Sequence, residues 1–188
     1  MATGVADSPE RQRFVLVYES CYEAVYAYAA RRVDTDLAGD VVADTFLVAW
    51  RRRDRIPETP LPWLYGIARR VIANHRRSQR RTGALVYTLG RQMPRPPNQV
   101  GEGSSVGRAL PNPVLAAFQM LSTKEREVLA LTAWEELRPF EAAAVMGCSA
   151  AAFRVRLHRA RQHFRSELQR QGSPDLPKRE LATPAMEE

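Results

Sequence analysis

Pro139-Phe-Glu-Ala-Ala-Ala-Val-Met-Gly147-Cys-Ser149-Ala-Ala-Ala-Phe153-Arg-Val-Arg156-Leu-His-Arg-Ala-Arg161 is the stretch that decides how this chain folds. Proline suits the first position of a helix, where its missing N–H has no partner to lose. A short helix therefore opens at Pro139 and runs through Glu141 to Met146. Gly147 can end it in the left-handed conformation, and Ser149 can cap a second, longer helix. In that second helix Phe153, Leu157, Ala160, Phe164 and Leu168 recur at three- and four-residue steps, the spacing of one buried stripe. Its other faces carry Arg154, Arg156, His158, Arg159, Arg161 and Arg165. A short helix, a glycine turn and an arginine-rich helix make a helix-turn-helix, whose second helix enters the DNA major groove. Arginine there can fork onto guanine or hold a phosphate, and spacing alone does not separate the two.

Upstream, Ser122-Thr-Lys-Glu125 reads as a capping box ahead of Val128, Leu129 and Leu131. Asn112-Pro113 starts a further helix through Val114, Leu115 and Phe118. Residues 112–171 thus form one small helical domain. Residues 82–111 hold Pro94, Pro96, Pro97, Pro111 and five glycines with few large apolar side chains, which is the composition of a flexible linker. Before it, residues 11–81 show three helical stripes: Phe14, Val17, Cys21, Val25 and Tyr28; then Val42, Phe46, Ala49 and Trp50; then Leu64, Ile67, Ala68, Val71 and His75. Asp36, Asp40 and Asp44 follow one another at four-residue steps on a separate face of the second helix. Arg69, Arg70, Arg76, Arg77, Arg80 and Arg81 oppose the third stripe. The prolines of Ile56-Pro57-Glu58-Thr59-Pro60-Leu61-Pro62 predict a stiff loop between the second helix and a third spanning Trp63 to Arg81. The predicted fold is all-α, with two small helical domains on a flexible linker and disordered ends at residues 1–10 and 172–188.

The formal charge is +7, and 26 of the 28 cations are arginines. Rigid guanidinium forks suit phosphates and base edges. The charge is segregated: residues 1–50 carry a net −4 and residues 51–82 a net +8, and residues 114–146 at −2 precede residues 147–171 at +5. Each half therefore offers one acidic and one basic surface, as a protein with one protein-facing and one nucleic-acid-facing side would. The longest apolar run, Ala142 to Cys148, is far too short to cross a bilayer, so the expected location is the cytoplasm, away from membranes. Cys21 and Cys148 have no CxxC or nearby histidine partner, which argues against a disulfide framework or a zinc site. Metal and cofactor are both expected to be absent. The three-aspartate row is the pattern of a solvated or protein-binding face rather than a metal centre. No P-loop, HExxH or nucleophile elbow is present, so the chain is expected not to be an enzyme.

Four segments together resemble the extracytoplasmic-function (group 4) sigma factors of the sigma-70 family. Asp36-Leu-Ala-Gly-Asp40-Val-Val-Ala-Asp44-Thr-Phe46-Leu-Val-Ala-Trp50-Arg is similar to their D-x-E-D-L-V-Q-E-T-F-L-x-A-W-R stretch, and Trp63-Leu-Tyr-Gly-Ile-Ala-Arg69 to W-L-x-x-I-A-R. Leu121-Ser-Thr-Lys-Glu-Arg-Glu-Val-Leu129 resembles L-P-x-x-x-R-E-V-L. Arg154-Val-Arg156-Leu-His158-Arg159-Ala-Arg161 resembles the recognition helix V-K-S-R-L-x-R-A-R. The resemblance covers about residues 11–81 and 112–170.

It implies a subunit that binds core RNA polymerase, through its β and β′ subunits, and directs it to promoter DNA. Carried over by position, Asp36, Asp40, Asp44, Phe46, Trp50 and Arg52 face the polymerase. Arg55, Ile56, Trp63, Arg69, Arg70, Asn74, Arg76, Arg77 and Arg80 serve the −10 element, where a base is flipped from the non-template strand. Arg138, Pro139, Arg154, Val155, Arg156, His158 and Arg159 serve the −35 element, with Arg154 and Arg156 as the base readers. An anti-sigma factor is implied as a further partner. The chain departs from the family pattern at Gly39 and Ala43, which stand for Glu and Gln, and at Arg70, which stands for asparagine. It departs again at Arg138, which stands for a serine cap, and at Ala150, Ala151 and Ala152, which stand for V-G-T. The alternatives are a stand-alone helix-turn-helix regulator, which would bind duplex tightly without polymerase, and an RNA-binding adaptor using both arginine helices on phosphates.

Overall fold

The computed structural model describes residues 8–89 and 113–171, without the side chains of residues 80 and 82–89. The described residues form seven α-helices and one 3-10 turn: α1 Pro9–Ala30, α2 Thr35–Arg51, the turn Arg53–Arg55, α3 Pro60–Leu89, α4 Pro113–Met120, α5 Thr123–Ala133, α6 Pro139–Met146 and α7 Ala150–Arg170. The chain divides into two compact units between Ser105 and Val106, inside the stretch expected to be a linker.

In the first unit α1, α2 and α3 pack against one another in all three pairings. The predicted stripes supply the core. Val25, Tyr28, Ala38, Val41, Ala49, Leu64 and Ala68 are wholly enclosed, and Phe14 sits half-buried at the open end of its stripe. Tyr28 of α1 stacks on Tyr65 of α3 with ring centroids 4.7 Å apart. Phe46 of α2 meets Tyr18 edge-on at 4.7 Å and Phe14 at 6.4 Å. Thr45 is buried too, and its hydroxyl donates to the Val41 carbonyl one turn back (2.6 Å), which removes the desolvation cost of the oxygen.

Three boundaries differ from expectation, two of them for a local reason. Helix α1 begins inside the segment expected to be disordered, because Ser8 accepts from the Arg11 amide as N-cap and Pro9 takes the first helical position. Helix α3 begins at Pro60 rather than Trp63: two of the three loop prolines lie in its first turn, where no intrahelical N–H is required. It also runs to Leu89, past the expected start of the linker at Thr82. The remainder of that linker, residues 1–7 and residues 172–188 lie outside the described residues.

In the second unit α7 is the central element, packed by α4, α5 and α6. Phe153, Leu131, Val128, Ala117, Ala142 and Ala160 close the core. Phe118 of α4 is wedged edge-on between Trp134 (5.2 Å) and Phe164 of α7 (6.5 Å). The joints follow the cap chemistry. Ser122 and Glu125 exchange the two bonds of a capping box. Gly147 ends α6 at φ 64°, a left-handed conformation in which a side chain is strained. Ser149 accepts from the Ala152 amide (3.1 Å) to start α7. Both cysteines are free thiols; Cys21 is buried and Cys148 half-buried.

Candidate functional site

Helix geometry advances each residue by about 100°, so Asp36, Asp40 and Asp44 form one row on α2, and all three are exposed. Leu47 stands three residues beyond Asp44 and seven beyond Asp40, on the same row, with 47% of its surface open to solvent. Leu47 thus leaves an apolar side chain uncovered at the end of the aspartate row, a surface that its own core does not use. Apolar periodicity alone does not distinguish this leucine from a core residue; its register with the aspartates is the signal that marks it. Asp44 is also tied to α3, its Oδ2 lying 3.1 Å from His75 Nε2.

The other residues expected to face the polymerase divide. Arg52 is exposed at the C-terminal cap of α2. Phe46 is only 4% exposed and belongs to the aromatic core. Trp50 is half-buried, 5.0 Å from the Phe14 ring, with the Arg53 guanidinium 4.6 Å above its face. That cation–π contact fixes the Trp50 ring at the edge of the acidic row.

On α3 the same geometry sorts the cations into two rows. Trp63, Arg70, Asn74, Arg77 and Arg81 share one flank; Trp63 is half-buried and the other four are exposed. Arg77 donates to the Asn74 side-chain oxygen, which links two members of the row. Arg69 and Arg76 lie on the other flank, where Arg76 donates to the Arg32 carbonyl at 2.8 Å and so helps hold α3 on the end of α1. The Arg80 side chain lies outside the described residues. In the preceding loop Arg55 is exposed, its Nε 3.5 Å from Asp54, whereas Ile56 is 4% exposed and plugs the core beneath. An aromatic ring in line with guanidinium groups suits an unpaired strand, whose bases stack and whose phosphates need cations.

The third face belongs to the helix-turn-helix. Arg138 and Pro139 are exposed at the start of α6, where the Arg138 amide donates to Glu141 Oε2 at 2.8 Å. Phe140 beside them is 58% exposed. On α7, Arg154, Val155, Arg156, His158 and Arg159 are all exposed, Val155 at 51%. Behind this face, His163 of α7 bonds through Nδ1 to Glu125 Oε1 (2.9 Å) and lies 3.4 Å through Nε2 from the buried Glu167, which Arg170 also holds at 2.6 Å. The hydrogen bond that the His163 ring donates to Glu125 raises the His163 pKa above its ordinary 6.5. The Glu125 carboxyl is lowered below 4.5, first by the Ser122 hydroxyl and then by His163. The α5 cap and α7 are therefore clipped together. Among the described residues no group of three histidine, cysteine or carboxylate side chains is placed to hold a metal ion, and no helix is long and apolar enough to cross a membrane.

Residues 17–82 match the model of Sigma-70 region 2 and residues 112–164 that of Sigma-70, region 4. The RNA polymerase sigma-E factor of Streptomyces coelicolor is 32% identical over 142 residues, covering 74% of this chain and 77% of that protein. The ECF RNA polymerase sigma factor SigL of Mycobacterium tuberculosis is 28% identical over 160 residues, covering 83% and 89%. The chain spans 41% of the length of a longer relative, the probable RNA polymerase sigma factor RfaY of Xanthomonas campestris. Among solved structures, the sigma factor RpoE of Bartonella quintana, in complex with the anti-sigma factor NepR, aligns with a TM-score of 0.57 and 25% identity over 84% of this chain and 98% of that one. The chain belongs to the extracytoplasmic-function sigma factors of bacterial RNA polymerase, within the sigma-70 family.

Proposed function

We propose that this sigma factor divides its work among the three faces. The α2 row of Asp36, Asp40, Asp44 and Leu47 docks on core polymerase, with Trp50 and Arg52 at its edge. The row Trp63, Arg70, Asn74, Arg77 and Arg81, with Arg55 in the loop before it, holds the opened strand at the −10 element. The exposed face of α6 and α7, from Arg138 and Pro139 to Arg154, Val155, Arg156, His158 and Arg159, lies on the −35 duplex. Phe46 and Ile56 act from inside, by holding α2 and the loop in place. The observation that carries this reading is the segregation of exposed charge: carboxylates with a bare leucine on α2, guanidinium groups on α3 and α7.

Carboxylates flanking an apolar anchor favour a basic partner surface and speed encounter, while the desolvated leucine slows release. Binding to polymerase in this reading brings two DNA-reading units into one register, so the free chain binds duplex promoter weakly. The role is one of recognition, in the cytoplasm beside the polymerase, without a catalytic step of its own. An anti-sigma factor that covers the acidic row or the basic faces is the natural antagonist, as the RpoE–NepR complex illustrates for a structural relative.

The test is a binding titration with core polymerase. Asp36→Lys with Asp40→Lys is expected to lower the association rate by 10-fold or more at low salt, with the difference shrinking as salt rises. Leu47→Ser is expected to act mainly on dissociation. Unchanged binding by both variants would remove α2 from the polymerase interface. Tight, sequence-specific duplex binding without polymerase would favour a stand-alone regulator instead.

A further inference from the structure

We infer that Val155, not the arginines beside it, is the central base-reading residue of α7, and that it recognises the 5-methyl group of a thymine. The inference rests on the −35 reading above and deepens it. The buried stripe of α7 fixes its orientation: Phe153, Leu157 and Ala160 are 0%, 7% and 0% exposed. At about 100° per residue, Val155 lies almost opposite the middle of that stripe, and Arg154 and Arg156 lie about 100° to either side of it. The row facing directly away from the core is Ala151, Val155, His158 and Arg159, all exposed.

In a helix-turn-helix the N-terminal part of the second helix meets the base edges, and the flanks of that helix face the two groove walls. Arg154 and Arg156 are thus placed at the phosphates on either side, where a guanidinium group contributes affinity without reading sequence. Ala151 and Val155 occupy the deepest position. Neither can donate or accept a hydrogen bond, and the floor of the major groove offers such groups one complementary feature, the thymine methyl. Val155 is 51% exposed within its own unit, so about half of its surface is left uncovered there.

The experiment uses the full chain bound to core polymerase and a promoter library randomised across the −35 element. The enriched element is then remade with deoxyuridine in place of each thymine in turn, which removes only the methyl group. One position is expected at which methyl loss weakens the wild-type complex about fourfold, the effect of uncovering one methyl group. Val155→Asn is expected to be indifferent to that methyl and to shift the preference there toward adenine, which asparagine can grip through two hydrogen bonds. Arg154→Ala and Arg156→Ala are expected to weaken enriched and scrambled fragments alike and to lower the salt slope by about one each. An enriched element with no methyl-sensitive thymine, or the same sensitivity in Val155→Asn, overturns the assignment to Val155 and leaves the promoter reading standing. A changed base preference in the arginine variants overturns their placement at phosphates. If no element is enriched in the presence of polymerase, the −35 reading fails and Val155 falls with it.

Discussion

The two units share distant aromatic packing and differ in how their successive helices are joined. The first is built from helices of 22, 17 and 30 residues joined by aromatic contacts between residues far apart in sequence, such as Phe14 with Trp50 and Tyr28 with Tyr65. The second uses helices of 8, 11, 8 and 21 residues, and its joints are set by neighbours: Ser122 with Glu125, Gly147 and Ser149. Local caps fix the angle between α6 and α7 within a few residues, which suits a helix that must enter a groove in one orientation. Distant packing instead fixes whole faces, which suits the broad surfaces of α2 and α3.

That contrast can be broken most forcefully at Phe46. Phe46→Ala is expected to cost the first unit about 3–5 kcal/mol by denaturant unfolding, through lost burial and the cavity left among Phe14, Tyr18 and Tyr22. Trp50 and Trp63 report that unit and Trp134 the other, so single-tryptophan versions of the chain separate the two transitions. A stable Phe46→Ala unit that no longer binds polymerase would make the ring a contact instead of a packing residue.

Glycines give a sharper, smaller comparison, because a Cβ would meet nothing within 4 Å at either Gly39 or Gly147. Only backbone conformation separates them. Gly147 sits at φ +64°, so Gly147→Ala is expected to destabilise the second unit by about 1–2 kcal/mol. Gly39 lies inside α2, so Gly39→Ala is expected to stabilise the first unit by about 0.5–1 kcal/mol. Thermal unfolding of both variants checks the opposite signs. The same sign at both sites would mean that the left-handed cap is not what joins α6 to α7.

The smallest expected effect is the pH response of the clip between α5 and α7. The folded-state pKa of His163 is raised, so its contribution is complete below about pH 6.5 and is lost as pH rises through the folded value. The Glu125 pKa is lowered, so its contribution is complete above about pH 4.5 and is lost as pH falls through its folded value. Together they favour the second unit most between those two limits. The His163 side chain is 42% exposed, which keeps the gain below about 1 kcal/mol. His163→Gln is expected to flatten the decline of Trp134-monitored stability above pH 6.5, and an unchanged profile would assign that decline elsewhere.

Reading the sequence alone works where the determining chemistry is local. The start of α5, the whole of α6, the Gly147 turn and the Ser149 cap are legible because each depends on residues within four positions. The acidic row is legible because carboxylates at four-residue steps allow one reading of the helix face. The start of α3 is not, since prolines read as loop unless their place in a first turn is known. Periodicity marks Phe46 as apolar without showing that Tyr18 and Phe14 cover it, and it leaves Leu47 undistinguished from a core leucine. Arg154 and Arg156 attract attention by charge, and only the orientation of the buried stripe shows that they flank Val155.

Two units that serve one initiation event when mounted on polymerase support run-off transcription with core enzyme. Adding the chain to core polymerase and a genomic fragment library is expected to yield discrete transcripts from fragments sharing paired −35 and −10 elements, lost with Asp36→Lys plus Asp40→Lys. No promoter-dependent transcript from any fragment would contradict it.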